Sequence, residues 1–164
     1  MMDIYEDWQL NAKLKLKETE VFLKRLKKTK KGKLIDQIVN DTDEKVFETF
    51  DCLSCANCCK TISPVVTATD VRRIAKHLRI KETEVLSEYM SVDSDGDYVM
   101  NRQPCPFLED NNECSIYDVR PKACKEYPLT QNKGFNQRPA LHARNTITCP
   151  AVFHVVERLK EKIK

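Results

Sequence analysis

Four cysteines fall within the stretch Asp51 to Lys60, DCLSCANCCK, and two of them, Cys58 and Cys59, are neighbours. Four more follow at Cys105, Cys114, Cys124 and Cys149. Thiolates serve as nucleophiles, redox groups and metal ligands. A CxxC step lets a tight loop aim two sulfurs at one centre, and a tetrahedral zinc site takes its second pair from far along the chain. Eight thiols therefore suffice for two four-thiolate centres. Cys52, Cys55 and Cys58 also form a CxxCxxC triplet, which with a remote Cys-Pro is the ferredoxin arrangement around a cubane cluster. Either Cys105-Pro106 or Cys149-Pro150 supplies that remote ligand. The triplet is not the CxxxCxxC of radical enzymes that use S-adenosylmethionine, and spacing alone leaves zinc and an iron–sulfur cluster both open.

The vicinal pair constrains how the sulfurs are shared. Adjacent side chains in an extended or turning backbone point apart, so Cys58 and Cys59 are expected to face different centres, or one of them to stay a free thiol near the site. A strained vicinal disulfide is a third option. The division this suggests is Cys52, Cys55 and Cys58 with a remote Cys-Pro, and Cys59 with the remaining cysteines. Cys149 stands at the N-cap position of a helix opened by Pro150, where a lowered thiol pKa suits a nucleophile and a metal ligand alike. Among the histidines, His77 falls on the outer side of its helix. His142 and His154 flank Cys149 in sequence, where they are candidates for hydrogen bonds to a ligand, for substitute ligands, or for plain packing. No Walker A, GxGxxG or HExxH pattern occurs, which leaves nucleotide binding and zinc-protease chemistry without support. Asp93, Asp95 and Asp97 alternate as in a calcium loop, but Gly96 precedes the third acid and Pro104 replaces the bidentate glutamate, so a turn into a strand near Tyr98 to Met100 is expected instead.

What must position these thiols is a mainly helical chain. The 164 residues are 41% hydrophobic and 32% charged with only three glycines, favouring helices over a sheet with many tight turns. No apolar run of about 18 residues and no cleavable leader pattern is present. The expected setting is therefore the reducing cytoplasm, where clustered thiols bind metal or do redox work rather than form disulfides. The net charge of +3 is uneven, since Gln9 to Lys33 carries ten Lys or Arg against two Glu. Such a segment can lie on an acidic membrane surface or along a nucleic-acid backbone, dock on an acidic protein partner, or form a solvated helix that packs its apolar stripe on the core. No aromatic interleaving or recognition motif adds a strong signal for nucleic acid or membrane.

Residues 4 to 31 read as one amphipathic helix on Ile4, Trp8, Leu14, Phe22 and Leu26, interrupted by Gly32. A short helix on Leu34, Ile35, Ile38 and Val39 follows. A second, capped by Asp41 with Glu44, runs to about Phe50. Thr67 with Asp70 caps a helix whose apolar positions are Val71, Ile74, Ala75 and Leu78, and Val85, Leu86, Tyr89 and Met90 mark its hairpin partner beside the thiols. The segment from Cys105 to Asn145 is rich in proline and polar clusters, so something other than packing is expected to hold it. The closing helix buries Val152, Val156, Leu159 and Ile163. The fold expected is mainly α with a loop-rich, metal-stabilised cysteine segment and at most a short β-hairpin. Its parts are a basic helical extension over residues 1–50 and a chelating domain with a C-terminal helix over 51–164.

With these residues in view the chain resembles the CxxCxxCC cysteine-cluster family, also called YkgJ-like, to which zinc or iron chelation is ascribed. The resemblance rests on CLSCANCC, VTATDVRRIAKHL, CPFLEDNNECSIYDVRPKACKEYPL and the closing TCP, and covers about residues 52 to 151. It implies that all eight cysteines hold family positions as candidate ligands. It also implies that Arg120-Pro121 and Tyr127-Pro128 shape the turn carrying Cys124. Pro121 can start a one-turn helix there, and Arg120 can neutralise thiolate charge or serve as a surface ion-pair residue. Ala56 stands where the family commonly has glycine, so a left-handed turn is expected to shift to Asn57. Lys81 replaces a good cap. Three functions follow as expectations: a thiolate metal-binding protein whose metal supports its fold, an iron–sulfur oxidoreductase or electron carrier, and a metal-stabilised module docking through its basic helix.

Overall fold

A computed structural model of the chain describes residues 7–164; Ile4, expected to open the first helix, lies outside the described residues. The order is α1 (Trp8–Leu14), α2 (Leu16–Lys27), α3 (Gly32–Phe47), a 3-10 turn at Cys52–Ser54, α4 (Asn57–Thr61), α5 (Ala68–Leu78) and α6 (Glu82–Tyr89). Then come β1 (Met90–Val92), β2 (Tyr98–Met100), a 3-10 turn at Tyr117–Val119, α7 (Lys122–Glu126), a 3-10 turn at Phe135–Gln137, α8 (Pro139–Thr148) and α9 (Pro150–Lys162). The protein is thus mainly α with one short antiparallel hairpin among the described residues, as composition led us to expect. The chain divides into two units, residues 1–51 with 128–164, and residues 52–127.

In the first unit α3 and α8 pack on α9, α2 packs on α8, and α1 touches both α8 and α9. Phe22, Leu23 and Leu26 of α2, Ile35, Val39 and Val46 of α3, and Val152, Val155, Val156 and Leu159 of α9 are all buried. Each such side chain contributes roughly 1.5–3 kcal/mol of transfer free energy. Trp8 and Ala12 form a further cluster with Phe153.

The leading helix differs from its expectation. It is broken at Lys15, and Leu14 is 74% exposed. The buried stripe is Trp8, Ala12, Thr19, Phe22, Leu23 and Leu26, a single arc at 100° per residue that excludes Leu14. Gly32 does not end this helix either; it is the first residue of α3. Nor does Asp41 begin a new helix, because α3 runs unbroken through it. The cap chemistry of Asp41 loses to a continuous stripe of Ile35, Val39, Thr42, Asp43 and Val46, and Thr42 satisfies its hydroxyl on Ile38 O at 2.7 Å.

After Pro128 the expectation of a poorly packed loop is also corrected. Phe135 is fully buried and stacks on His142 with ring centroids 3.9 Å apart. Asp36 accepts the Gly134 and Phe135 amides at 2.9 and 3.0 Å, and Asn145 donates to Pro128 O at 3.0 Å. Polar side chains on α3 and α8 hold this stretch without any thiol. Cys149 caps α9 and Pro150 opens it, as their order implies.

In the second unit α5 and α6 form the expected hairpin. The strands pair with Met90 opposite Met100. Their turn is built by Asp93, whose Oδ1 accepts the Asp95 and Asp97 amides at 2.9 Å each, and by Gly96 at φ 86°. Val66, Val71, Ile74, Ala75, Val85, Met90, Met100, Phe107 and Ile116 make the core, and Cys105 and Cys114 pack against it.

Candidate metal centre

The cluster loop begins with the 3-10 turn at Cys52, whose carbonyl accepts the Cys55 amide at 3.1 Å and the Ala56 amide at 2.8 Å. The left-handed residue is Ala56 itself, at φ 49° and ψ 21°, and not Asn57 as expected. A β-carbon there costs roughly 1–2 kcal/mol, and Ala is the smallest residue that bears one. The strain lets the chain reverse directly into α4, which carries Cys58 and Cys59.

Those two thiols do not diverge as expected. They hydrogen-bond to each other, and this bond is the largest influence raising the Cys59 pKa, followed by burial and the charge of Cys58. The reason is local: on a helical turn neighbouring side chains are about 100° apart rather than on opposite faces. Both remain thiols, with no vicinal disulfide.

Cys105 and Cys114 are brought together by a small antiparallel loop. The Cys105 amide donates to Cys59 O at 2.8 Å, Leu108 and Cys114 are paired, and Glu109 and Ser115 donate to Glu113 O and Phe107 O at 2.8 and 2.9 Å. At its tip Asn112, left-handed at φ 67°, donates its side-chain amide to Leu53 O at 2.6 Å. The loop is thereby tied at one end to Cys59 and at the other to the Cys52 turn.

Cys124 lies on α7, which starts directly after Pro121, so Pro121 does open the short helix that presents this thiol. A clamp from α5 fixes that turn. Thr67 caps α5 with its hydroxyl on the Asp70 amide at 3.2 Å, while Asp70 Oδ2 accepts the Thr67 amide at 2.9 Å. Asp70 Oδ1 receives Arg73 at 2.6 Å and the Lys122 amide at 3.1 Å. Arg73 in turn donates to Val119 O at 3.2 Å and Arg120 O at 2.8 Å. Burial alone would raise the Asp70 pKa, but the bonds from Thr67, Arg73 and Lys122 outweigh it and hold the carboxyl below its usual range. Sequence reading found the Thr67–Asp70 cap but missed Arg73 and Asn112. The three-residue step from Asp70 to Arg73, one helical face, was the available signal for the first.

The electrostatics link four of the thiols. Burial raises Cys105, Cys114 and Cys124, the last to about 12. Charge on Cys59 raises all three further, as does Cys114 on Cys105, while Cys105 and Cys114 both raise Cys124. Arg120 acts the other way on Cys114 and Cys124. Its guanidinium lies 3.8 Å over the Tyr117 ring and donates to Tyr117 O at 2.6 Å. The charge of Cys59 thus reaches Cys105, Cys114 and Cys124, which come from three other segments, while Cys59 itself is governed by Cys58, burial and Lys60. A cation reverses this opposition to deprotonation, and four sulfurs are the donor chemistry of zinc and of iron. Among the described residues, no three His, Cys, Asp or Glu side chains are closed into an arrangement that holds a metal ion. The four thiols fit such an ion by donor type, without forming a finished coordination shell.

Cys52 is exposed and Cys55 and Cys58 are half-buried on the same loop. Cys149 is buried at the junction of α8 and α9 in the other unit, which contains no second cysteine. His77 is exposed, as expected. His154 rests edge-on against Phe153, and His142 is buried against Phe135.

A helical scaffold that collects thiols from a CxxCxxCC loop and from later turns is the architecture of a cysteine-cluster protein. The chain belongs to the CxxCxxCC family, described as "Putative zinc- or iron-chelating domain", whose profile matches residues 51–143. It is also 34% identical over 84 residues to an uncharacterized protein, MJ0661, of Methanocaldococcus jannaschii. The match takes in 49% of this chain and 45% of that protein, so the chain spans less than half the length of the relative it matches. No solved structure is detectably similar to it.

Proposed function

We propose that the unit of residues 52–127 binds zinc or iron through Cys59, Cys105, Cys114 and Cys124, and that the bound metal supports its fold. The observation that carries this reading is that Cys105, Cys114 and Cys124, from three separate segments, all lie within reach of the charge of Cys59, and that the Cys105 amide bonds to Cys59 O at 2.8 Å. When bound, the metal supplies positive charge that keeps these sulfurs deprotonated. The chain's own part is to hold them: the Cys59–Cys105 backbone bond, the Asn112 tether and the Asp70–Arg73 clamp fix the three loops, and Arg120 lowers the cost of charge on two sulfurs. Cys52, Cys55 and Cys58 supply further ligands on the same loop. The setting is a reducing compartment such as the cytoplasm, in which these thiols persist.

The test is elemental analysis with an ultraviolet–visible spectrum on anaerobically prepared protein. Colourless protein with stoichiometric zinc supports a structural site. A brown protein absorbing broadly in the blue is the iron–sulfur outcome, and metal-free protein with an unchanged melting profile overturns the proposal.

A further inference from the structure

The face of α1 and α2 opposite the buried stripe carries a pattern the metal reading does not use. Leu10, Leu14 and Val21 are 58%, 74% and 69% exposed. Lys17, Lys24 and Lys28 are exposed too. At 100° per residue all six fall within about 40° of one line. The break at Lys15 does not disturb the phase, because Lys15 N donates to Asn11 O and Thr19 N to Lys15 O, both at 2.9 Å. The arc opposite these six is the stripe packed into the first unit. Two of the basic groups nearby are spent internally, Lys15 on Glu157 and Arg25 on Ile163 O at 3.0 Å. The lysines of the outer line have no carboxylate partner among the described residues.

We infer that this outer face is a docking surface for anionic phospholipid headgroups. Charge complementarity selects an acidic surface, and the three aliphatic side chains select among acidic surfaces. Nucleic acid offers phosphates but nothing that rewards exposed leucine and valine along the line. A helix-binding protein groove reads an unbroken ladder of apolar anchors at i, i+3, i+4 and i+7. Leu10 to Leu14 and Leu14 to Val21 have the i+4 and i+7 steps, but Lys17 and Glu18 fill the turn between Leu14 and Val21 and break the ladder. A fluid headgroup layer accommodates the interleaving: aliphatic side chains enter the acyl boundary while lysine stems run along it and place their ammonium groups among the headgroups. The inference is independent of the metal site.

Flotation of the full chain with vesicles tests it. Binding is expected to vesicles containing phosphatidylserine, not to pure phosphatidylcholine, and to weaken between about 0.1 and 0.5 M salt. Joint Lys17→Glu, Lys24→Glu and Lys28→Glu substitution is expected to lower partitioning on the order of a hundredfold. Joint Leu10→Gln, Leu14→Gln and Val21→Gln, at unchanged charge, is expected to lower it about tenfold or more. All six positions are exposed, and helical circular dichroism verifies that both variants fold. No binding to either vesicle, equal binding to both, an apolar variant that binds like wild type, or stronger binding to duplex DNA than to phosphatidylserine vesicles overturns the inference.

Discussion

The backbone N–H of Cys105 donates to the carbonyl of Cys59 at 2.8 Å, which sets a thiol of the cluster loop beside one from a distant segment. This bond uses main-chain atoms, so it survives replacement of either side chain. Serine in place of Cys59 or Cys105 is therefore expected to preserve the loop path and remove only the sulfur. That makes these substitutions clean tests of ligation.

The clamp beneath Cys124 is open to a stability test. Asp70 is 1% exposed and bonds to Thr67, Arg73 and Lys122. Asp70→Ala strands these donors and is expected to cost about 2–4 kcal/mol in denaturant unfolding. Arg73→Met is expected to cost less, about 1–2 kcal/mol, because the arginine is partly solvated. With its pKa held below the usual range, Asp70 stabilises the fold above that range, and the contribution is lost as pH falls through the lowered value. An Asp70→Asn variant is expected to lack this acid-dependent loss, as read from unfolding midpoints along a pH series.

Ala56 sits in the left-handed region with little room around it, being 6% exposed. Glycine there relieves strain but loses a buried methyl group and gains backbone entropy in the unfolded chain, so Ala56→Gly is expected to fall within about 1 kcal/mol of wild type. A β-branched residue has no such compensation. Ala56→Val is expected to cost roughly 1–3 kcal/mol, and the contrast between the two in thermal or denaturant melts checks the conformation.

His142 is fully buried; neither ring nitrogen completes a well-formed hydrogen bond among the described residues, and only a minor pull from the Phe135 backbone favours its charged form. Burial, with the charge of Arg138, lowers its pKa from 6.5 to about 4. Its neutral form is thus favoured in the fold. The contribution to stability is complete above pH 6.5 and is lost as pH falls from there towards 4, to a total on the order of 3 kcal/mol. His142→Phe keeps a ring on Phe135 and removes both orphaned nitrogens, so it is expected to match or exceed wild type at pH 7 and to flatten the stability profile between pH 4 and 6.5.

Helices with strong local signals were legible in the residues alone. Thr67 and Asp70 announced α5, Cys149-Pro150 announced α9, and both are where the caps put them. Asp41 carried an equally good cap signal and was overruled, because the stripe from Ile35 to Val46 needed a continuous helix to stay buried. The same competition hid the true buried arc of α1 and α2, where Ala12 and Thr19 pack inward and the larger Leu14 does not. For the site, spacing already suggested grouping Cys59 with the later cysteines, one option being Cys105, Cys114 and Cys124, but what brings those segments near one another was not readable. Cys58 and Cys59 meet because a left-handed Ala56 throws them onto a helical turn. Cys105, Cys114 and Cys124 meet through hydrogen bonds to Cys59, Leu53 and Asp70, partners distant in sequence that no periodicity encodes.

Metal content, measured variant by variant on anaerobically purified full-length chain, is the most direct test of the proposed centre. Serine at Cys59, Cys105, Cys114 or Cys124 is expected to lower bound zinc or iron and the melting temperature together, whereas Cys149→Ser is expected to retain the metal. Full metal occupancy in the Cys105→Ser and Cys124→Ser variants, or loss of metal in Cys149→Ser alone, contradicts it.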